Sequence, residues 1–124
     1  MGARAEYRIN LDTKYGYSTV IDLPTIVAEC RDQWFNQTLC QINDCVLRVG
    51  IIQGEFHWHK HDEEDELFWV VEGELLLDIE GADTIRLAPN QGYTVPRGVM
   101  HRTRAPERVV MLMVEKASVT PTGD

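Results

Sequence analysis

The chain is short of cysteine, of positive charge and of long apolar runs, and each shortage excludes a class of protein. Its three cysteines, Cys30, Cys40 and Cys45, are odd in number and never spaced Cys-x-x-Cys, which argues against a disulfide framework and a thiolate zinc site. They read as small, buried or half-buried thiols of a protein in a reducing cytoplasm. Twelve Lys and Arg face twenty Asp and Glu, a formal charge of −8. Such an excess repels phosphate backbones and anionic lipid, so neither nucleic acid nor membrane is expected as a partner. The longest apolar run, Val109 to Val114, is too short to span a bilayer. Arg4, Glu6, Arg8 and Asp12 interrupt any signal-peptide core, and Glu6 stands where a myristoylation signal opening Met1-Gly2 needs Ser or Thr. No repeat, linker or low-complexity stretch divides the 124 residues, so one domain, 1–124, is expected.

Along the chain, Arg4 to Asn10 alternates as an edge strand would. Leu23, Ile26, Val27, Cys30 and Trp34 then fall at helical offsets, behind Asp22 as a possible N-cap and with Pro24 in the first turn, which predicts one amphipathic helix over about 23–33. Everything afterwards reads as strand and turn. Thr38–Ile42 and Cys45–Ile52 flank Asn43-Asp44, and Leu67–Val71 and Leu75–Ile79 flank Glu72-Gly73-Glu74, both predicted as hairpins. Further breaks fall at Gly81-Ala82-Asp83, Ala88–Gly92 and Pro96-Arg97-Gly98, so an all-β sandwich or barrel is expected. The last strand, Arg108–Glu115, is apolar on both faces and predicts either core or a homodimer interface. The polar tail Ser118–Asp124 is expected to be loose unless it docks on a partner.

Histidine is scarce, yet three of the four lie in five residues: His57, His59 and His61 alternate with Trp58 and Lys60. In an extended strand all three imidazoles would leave one face. His101 follows the Pro-Arg-Gly turn forty residues later. Neutral imidazole is the commonest metal ligand, and one ion needs several ligands converging from different strands. If Asp62–Asp65 forms a loop, Glu66 can open the next strand and turn its carboxylate back toward the imidazoles.

At this point the residues resemble a family. His59-Lys60-His61, Glu66 after four residues and Gly73 after six more are similar to the first cupin motif, and Pro96-x-Gly98 followed after two residues by His101 is similar to the second. The motif regions run over about 54–73 and 92–105. Gly54 stands one place too near His59, Asn90 takes the place of the second motif's glycine, and Ala105 replaces its Asn, positions that shape turns. The Trp58–His61 context and the trailing Val119–Asp124 resemble small single-domain cupins labelled mannose-6-phosphate isomerase-like. The resemblance implies a double-stranded β-helix, a jelly-roll barrel with one N-terminal helix. It also implies one divalent ion, Zn, Mn, Fe, Ni, Co or Cu, held by His59, His61, Glu66 and His101. The family spacing favours these over a His57/His59 pair and over Glu64.

His57 then becomes a group at the pocket edge, and with Tyr93 and Glu55 it supplies the few candidates for acid–base catalysis, His57 and Tyr93 foremost. Asp62–Asp65 is expected to be a solvated loop, and Phe68 and Val70 to line the barrel while Trp58 and Trp69 face out. Arg97 lies in the turn that delivers His101, where a cation could meet an anionic substrate, but it is expected to be an ordinary surface arginine; Arg102 and Arg104 should point outward. The resulting expectation is a small-molecule metalloenzyme of the sugar or sugar-phosphate isomerase type. A dioxygenase or lyase and a non-catalytic ligand-binding barrel are the alternatives. A homodimer is expected.

Overall fold

The computed structural model describes residues 7–124. Its elements are β1 (Arg8–Asn10), α1 (Leu23–Glu29), β2 (Trp34–Ile42), β3 (Cys45–Glu55), β4 (Glu66–Glu72), β5 (Leu75–Ile79), β6 (Ile85–Leu87), β7 (Gly92–Val95) and β8 (His101–Lys116). The architecture is all-β, a jelly-roll with one helix. The predicted first strand is present as β1 on the sheet edge, parallel to β2. Its expected start, Arg4, lies outside the described residues.

Strand β8 organises the fold. It starts at His101, well before the expected Arg108, and β3 runs antiparallel along it from Cys45↔Lys116 to Glu55↔Arg104. The other edge of β8 is shared: β4 pairs with Val110–Glu115 and β5 with His101–Arg104. The second predicted hairpin is therefore corrected. β4 and β5 lie end to end along β8, and Gly73 turns the corner between them. Between the two halves of β8, Pro106, Glu107 and Arg108 are exposed, and the register with β3 shifts here, from Ile52↔Val109 to Gly54↔Ala105. The Asn43-Asp44 hairpin is observed as expected, with Asn43 at φ 53°.

Period-two alternation decides what β8 buries. Ala105, Val109, Met111 and Met113 face an interior shared with Trp34, Phe56, Phe68, Val70 and Leu77. Val110 faces the other way, into a second cluster with Phe35, Leu39, Val49, Ile51 and Ile26 of α1. Helix and sheet of this chain thus cover both faces of the apolar strand, with Val114 left 36% exposed.

Helix α1 starts as expected: the Asp22 carboxylate accepts from the Thr25 amide at 3.4 Å and hydroxyl at 2.9 Å, and Pro24 occupies the first turn. It ends at Glu29, four residues before the predicted Gln33. The Cys30 amide closes the helix on the carbonyls of Ile26 and Val27, and Cys30 itself is extended. Trp34 is not on the helical face at all. β2 pairs it with Ile52 and delivers it to the interior, stacked on Phe56 at 5.2 Å.

Gly73 has φ +84°, and a Cβ there would come within 2.5 Å of the Arg108 carbonyl oxygen in β8. Gly73→Ala meets both a left-handed backbone and a backbone clash, and is expected to destabilise the protein by roughly 2–3 kcal/mol. A urea unfolding midpoint unchanged from wild type would show that the corner relaxes freely.

Candidate metal centre

The segment from Phe56 to Asp65 is not the regular strand expected from its alternation. Its only ladder contact is a bridge in which the His59 and His101 backbones exchange hydrogen bonds at 2.9 and 2.8 Å. One turn further, the Gly98 amide donates to the His61 carbonyl at 2.8 Å, so the Pro96-Arg97-Gly98 turn fastens one motif to the other. His59 and His61 are therefore turned inward and buried, whereas His57 is exposed.

His59, His61, Glu66 and His101 converge, with one ligand atom from each lying within 4.8 Å of all the others. Glu66 opens β4, its carboxylate facing the imidazoles as the loop reading required. His59 donates Nδ1–H to the His57 carbonyl at 3.0 Å, and His101 donates Nδ1–H to the Val99 carbonyl at 2.9 Å. These bonds leave Nε2 as the lone-pair nitrogen of each neutral ring.

Yet His101 Nε2 faces Glu66 Oε1 at 3.3 Å, and His61 Nε2 faces the same oxygen at 3.4 Å. A neutral imidazole carries one N–H, and both groups facing His101 are acceptors. Something positive has to lie between Nε2 and Oε1, either a proton or a metal ion. A proton favours about 2.7–2.9 Å for such a charged pair. Ligands about 2.1 Å from one ion are separated by roughly 3.0–3.4 Å at octahedral to tetrahedral angles, which suits these gaps. Both ring nitrogens of His61 are also buried without a hydrogen-bond partner. The cluster fits a single divalent ion.

The titration of the site agrees. Burial holds His59 down at about 4, so it is neutral and able to ligate at ordinary pH. For His61 burial also favours the neutral ring, but Glu66 outweighs it and the pKa is raised. Burial would raise Glu66, yet the imidazoles of His101 and His61 facing its carboxylate bring it down to about 2.

Other sequence expectations fare unevenly. Phe68 and Val70 line the interior, and Trp58 and Trp69 are 44% and 41% exposed. Arg102 and Arg104 point outward as expected, both bound to the buried Asp78. Arg97 behaves as an ordinary surface arginine: its side chain and backbone amide engage Asp65. The solvated-loop reading is corrected at Glu64, which is buried and accepts from the Ser118 hydroxyl at 2.8 Å. The loose tail is corrected too: Val119 is buried and Thr122, Gly123 and Asp124 lie against the histidine segment. His57 stands at the site's edge, its ring 5.4 Å from that of His59, donating Nε2–H to the Thr122 carbonyl at 2.6 Å. Tyr93 sits on β7 opposite Phe68, half-buried against the core.

Sequence reading missed Glu115 and Arg48. Glu115 pairs in register with Glu66 and is buried beside Arg48, whose Nε lies 3.3 Å from it. Burial and the Glu66 charge push Glu115 up to about 9. The signal was available: Glu115 has the parity of Met111 and Met113, and Arg48 that of Gly50 and Ile52, so both should point inward.

A small cavity of about 30 Å³ adjoins the cluster, with His59 and Glu66 at its polar side and Trp34, Phe56, Phe68 and Met111 among its walls. Asn36, whose Oδ1 is buried without a partner, and Thr103 are further polar groups on it. Pro121 of the tail closes one side.

Comparison with known proteins fits this arrangement. Residues 48–115 match the cupin domain family. The uncharacterized protein YdbB of Bacillus subtilis (strain 168) is 39% identical over 98 residues, 79% of this chain and 87% of that protein. The crystal structure of a cupin-2 domain containing protein from Shewanella frigidimarina superposes with TM-score 0.74 at 29% identity, covering 78% of this chain and 94% of that one. Protein NMB1881 from Neisseria meningitidis shares the fold, with TM-score 0.71 at 20% identity over 79% of this chain and 99% of its own.

Proposed function

The chain belongs to the cupin family, and from that premise we propose that it is a metal-dependent enzyme acting on a small molecule with a metal-binding oxygen and an otherwise apolar body. The observation that supports this most is the pair of His101 and Glu66 acceptors facing one another at 3.3 Å, an arrangement that calls for a positive charge between them at a spacing that suits a metal ion. His59, His61, Glu66 and His101 would hold the ion. Four protein ligands leave places for water or substrate on an octahedral ion, and such an ion supplies Lewis-acid polarisation of the bound oxygen, or oxygen chemistry if it is redox-active.

The chain's own residues do the rest. Trp34, Phe56, Phe68 and Met111 exclude water around the substrate body, and Asn36 offers an unpartnered hydrogen-bond acceptor among the lining residues. His57, with Nε2–H committed to Thr122, keeps Nδ1 as a proton acceptor at the site's edge, its ring 5.4 Å from that of His59; Tyr93 is the weaker candidate, since it packs against the core on β7. None of the lining residues is Lys or Arg. A phosphate would therefore meet no cation, which favours a lyase or dioxygenase over the sugar-phosphate isomerase type suggested by the mannose-6-phosphate isomerase-like group.

The proposal extends to a homodimer, for which exposed Trp69 and Val114 on the outer face of the sheet are the available surface, and to a cytoplasmic setting, in keeping with three free cysteines. Among the described residues no helix is long and apolar enough to cross a membrane.

Protons compete with the ion for the imidazoles. His61, whose pKa is raised by Glu66, takes up a proton first as the pH falls, whereas His59 competes only near 4. Protein dialysed at pH 7.5 is expected to retain about one divalent ion per chain, and at pH 5 to lose most of it. Equal metal content at both pH values would count against the site. Turnover by the loaded protein and not by His61→Ala separates an enzyme from a ligand-binding barrel.

A further inference from the structure

Two of the four clustered side chains, His59 and His61, come from a stretch that no strand holds beyond a single bridge. Its backbone and rings need partners from elsewhere, and the end of the chain brings them. The Asp124 amide donates to the Lys60 carbonyl at 2.9 Å, and the Asp62 amide donates to Asp124 Oδ2 at 2.6 Å. The Thr122 carbonyl takes the His57 Nε2–H. Gly123, at φ +94°, packs so closely on His59 that an added Cβ would lie 2.5 Å from the His59 Cβ. Val119 is buried and anchors the segment, and Pro121 forms part of the cavity wall.

His61 shows what this contact contributes. His59 and His101 each have a carbonyl on Nδ1, but the Nδ1 of His61 is buried and unpartnered. The carboxylates of Glu64 and Asp124 form a second group with His61, ligand atoms within 4.8 Å, the reach of one bridging water. Orientation of a ligating imidazole by a carboxylate behind it raises its basicity and fixes its ring.

We propose that Val119–Asp124 is a positioning strap for the metal centre: Gly123 and Asp124 set the orientation of His59 and His61, and Pro121 is the wall that limits what enters the cavity. This rests on the reading that His59, His61, Glu66 and His101 hold a divalent ion. Because coupling is reciprocal, the ion also holds the strap down.

The test uses the full chain with Gly123→Val and Asp124→Ala, titrated with Co²⁺. Both variants are expected to bind about 10–100-fold more weakly and to show an altered visible Co²⁺ spectrum; Asp124→Ala is expected to keep a metal-free unfolding midpoint near wild type, whereas Gly123→Val, strained at φ +94°, is expected to lower it. In wild type, loading with Co²⁺'s diamagnetic counterpart Zn²⁺ is expected to slow hydrogen exchange at the Asp62 and Asp124 amides. Wild-type affinity and spectrum in both variants, with exchange indifferent to Zn²⁺, would overturn the strap while leaving the metal site standing. If His61→Ala binds Co²⁺ as tightly as wild type, the metal reading falls and the strap with it.

Discussion

Replacing Glu66 by Gln is expected to weaken divalent-metal binding by more than about 100-fold, since losing even an outer partner of a ligand costs about 10–100-fold. The substitution keeps size and removes charge. A single oxygen, Oε1, faces both His61 and His101, so the lost charge is felt by two of the three imidazoles at once. A second consequence appears without metal. Glu66 is held at about 2 against an ordinary value near 4.5, so its ionised form stabilises the fold at neutral pH. For a depressed carboxylate that contribution is complete above about pH 4.5 and disappears as the pH falls through 2. Metal titration and metal-free urea unfolding read the two effects separately. Glu63→Gln, on an exposed loop position, is the control and should change neither. Metal affinity within a few-fold of wild type in Glu66→Gln would remove Glu66 from the ligand set.

Glu115→Gln should reshape the alkaline side of the stability profile. Glu115 is raised to about 9 because it is buried and because the ionised Glu66 lies beside it. In the unfolded chain the same group loses its proton near 4.5. Between those values the folded state holds a proton that the unfolded state has released, so each rise of one pH unit costs about 1.4 kcal/mol. Metal-free wild type is expected to weaken steadily from pH 7 to pH 9, whereas Glu115→Gln, shaped like the protonated acid, should be nearly flat over that range. Arg48 does not abolish the effect, since its Nε stands 3.3 Å away without a well-formed hydrogen bond. Urea midpoints at pH 7, 8 and 9 that run parallel for the two proteins would place an ionised Glu115 beside Arg48 instead. With an ion bound to Glu66 the repulsion shrinks, so the wild-type slope should flatten on metal loading.

Much of the site could be read from spacing. His59, His61, Glu66 and His101 stand at separations that match a family pattern, and the fold places their ligand atoms within 4.8 Å of one another. The Asn43-Asp44 hairpin, the Asp22 cap and the inward set of Phe68 and Val70 were equally accessible, because each depends on residues a few positions apart. Errors arose where a local signal met a tertiary demand. The helical pattern through Cys30 and Trp34 is real, but burial of Trp34 against Phe56 ends the helix early. Glu72-Gly73-Glu74 has the chemistry of a hairpin turn, yet both flanking strands pair with β8 and the glycine marks a corner.

The sequence by itself determined the ligand types, the turns between strands and the alternation that sends each side chain inward or outward, all properties of neighbours along the chain. Only the tertiary structure decided that both ends of β8 converge on Glu66, His101 through its imidazole and Glu115 through strand pairing. It alone also laid Val119–Asp124 across the histidines. The physical reason is that β8 pairs with β5 at its start and with β4 at its end, and pairing between strands brings together residues whose separation in sequence carries no record of their distance in space.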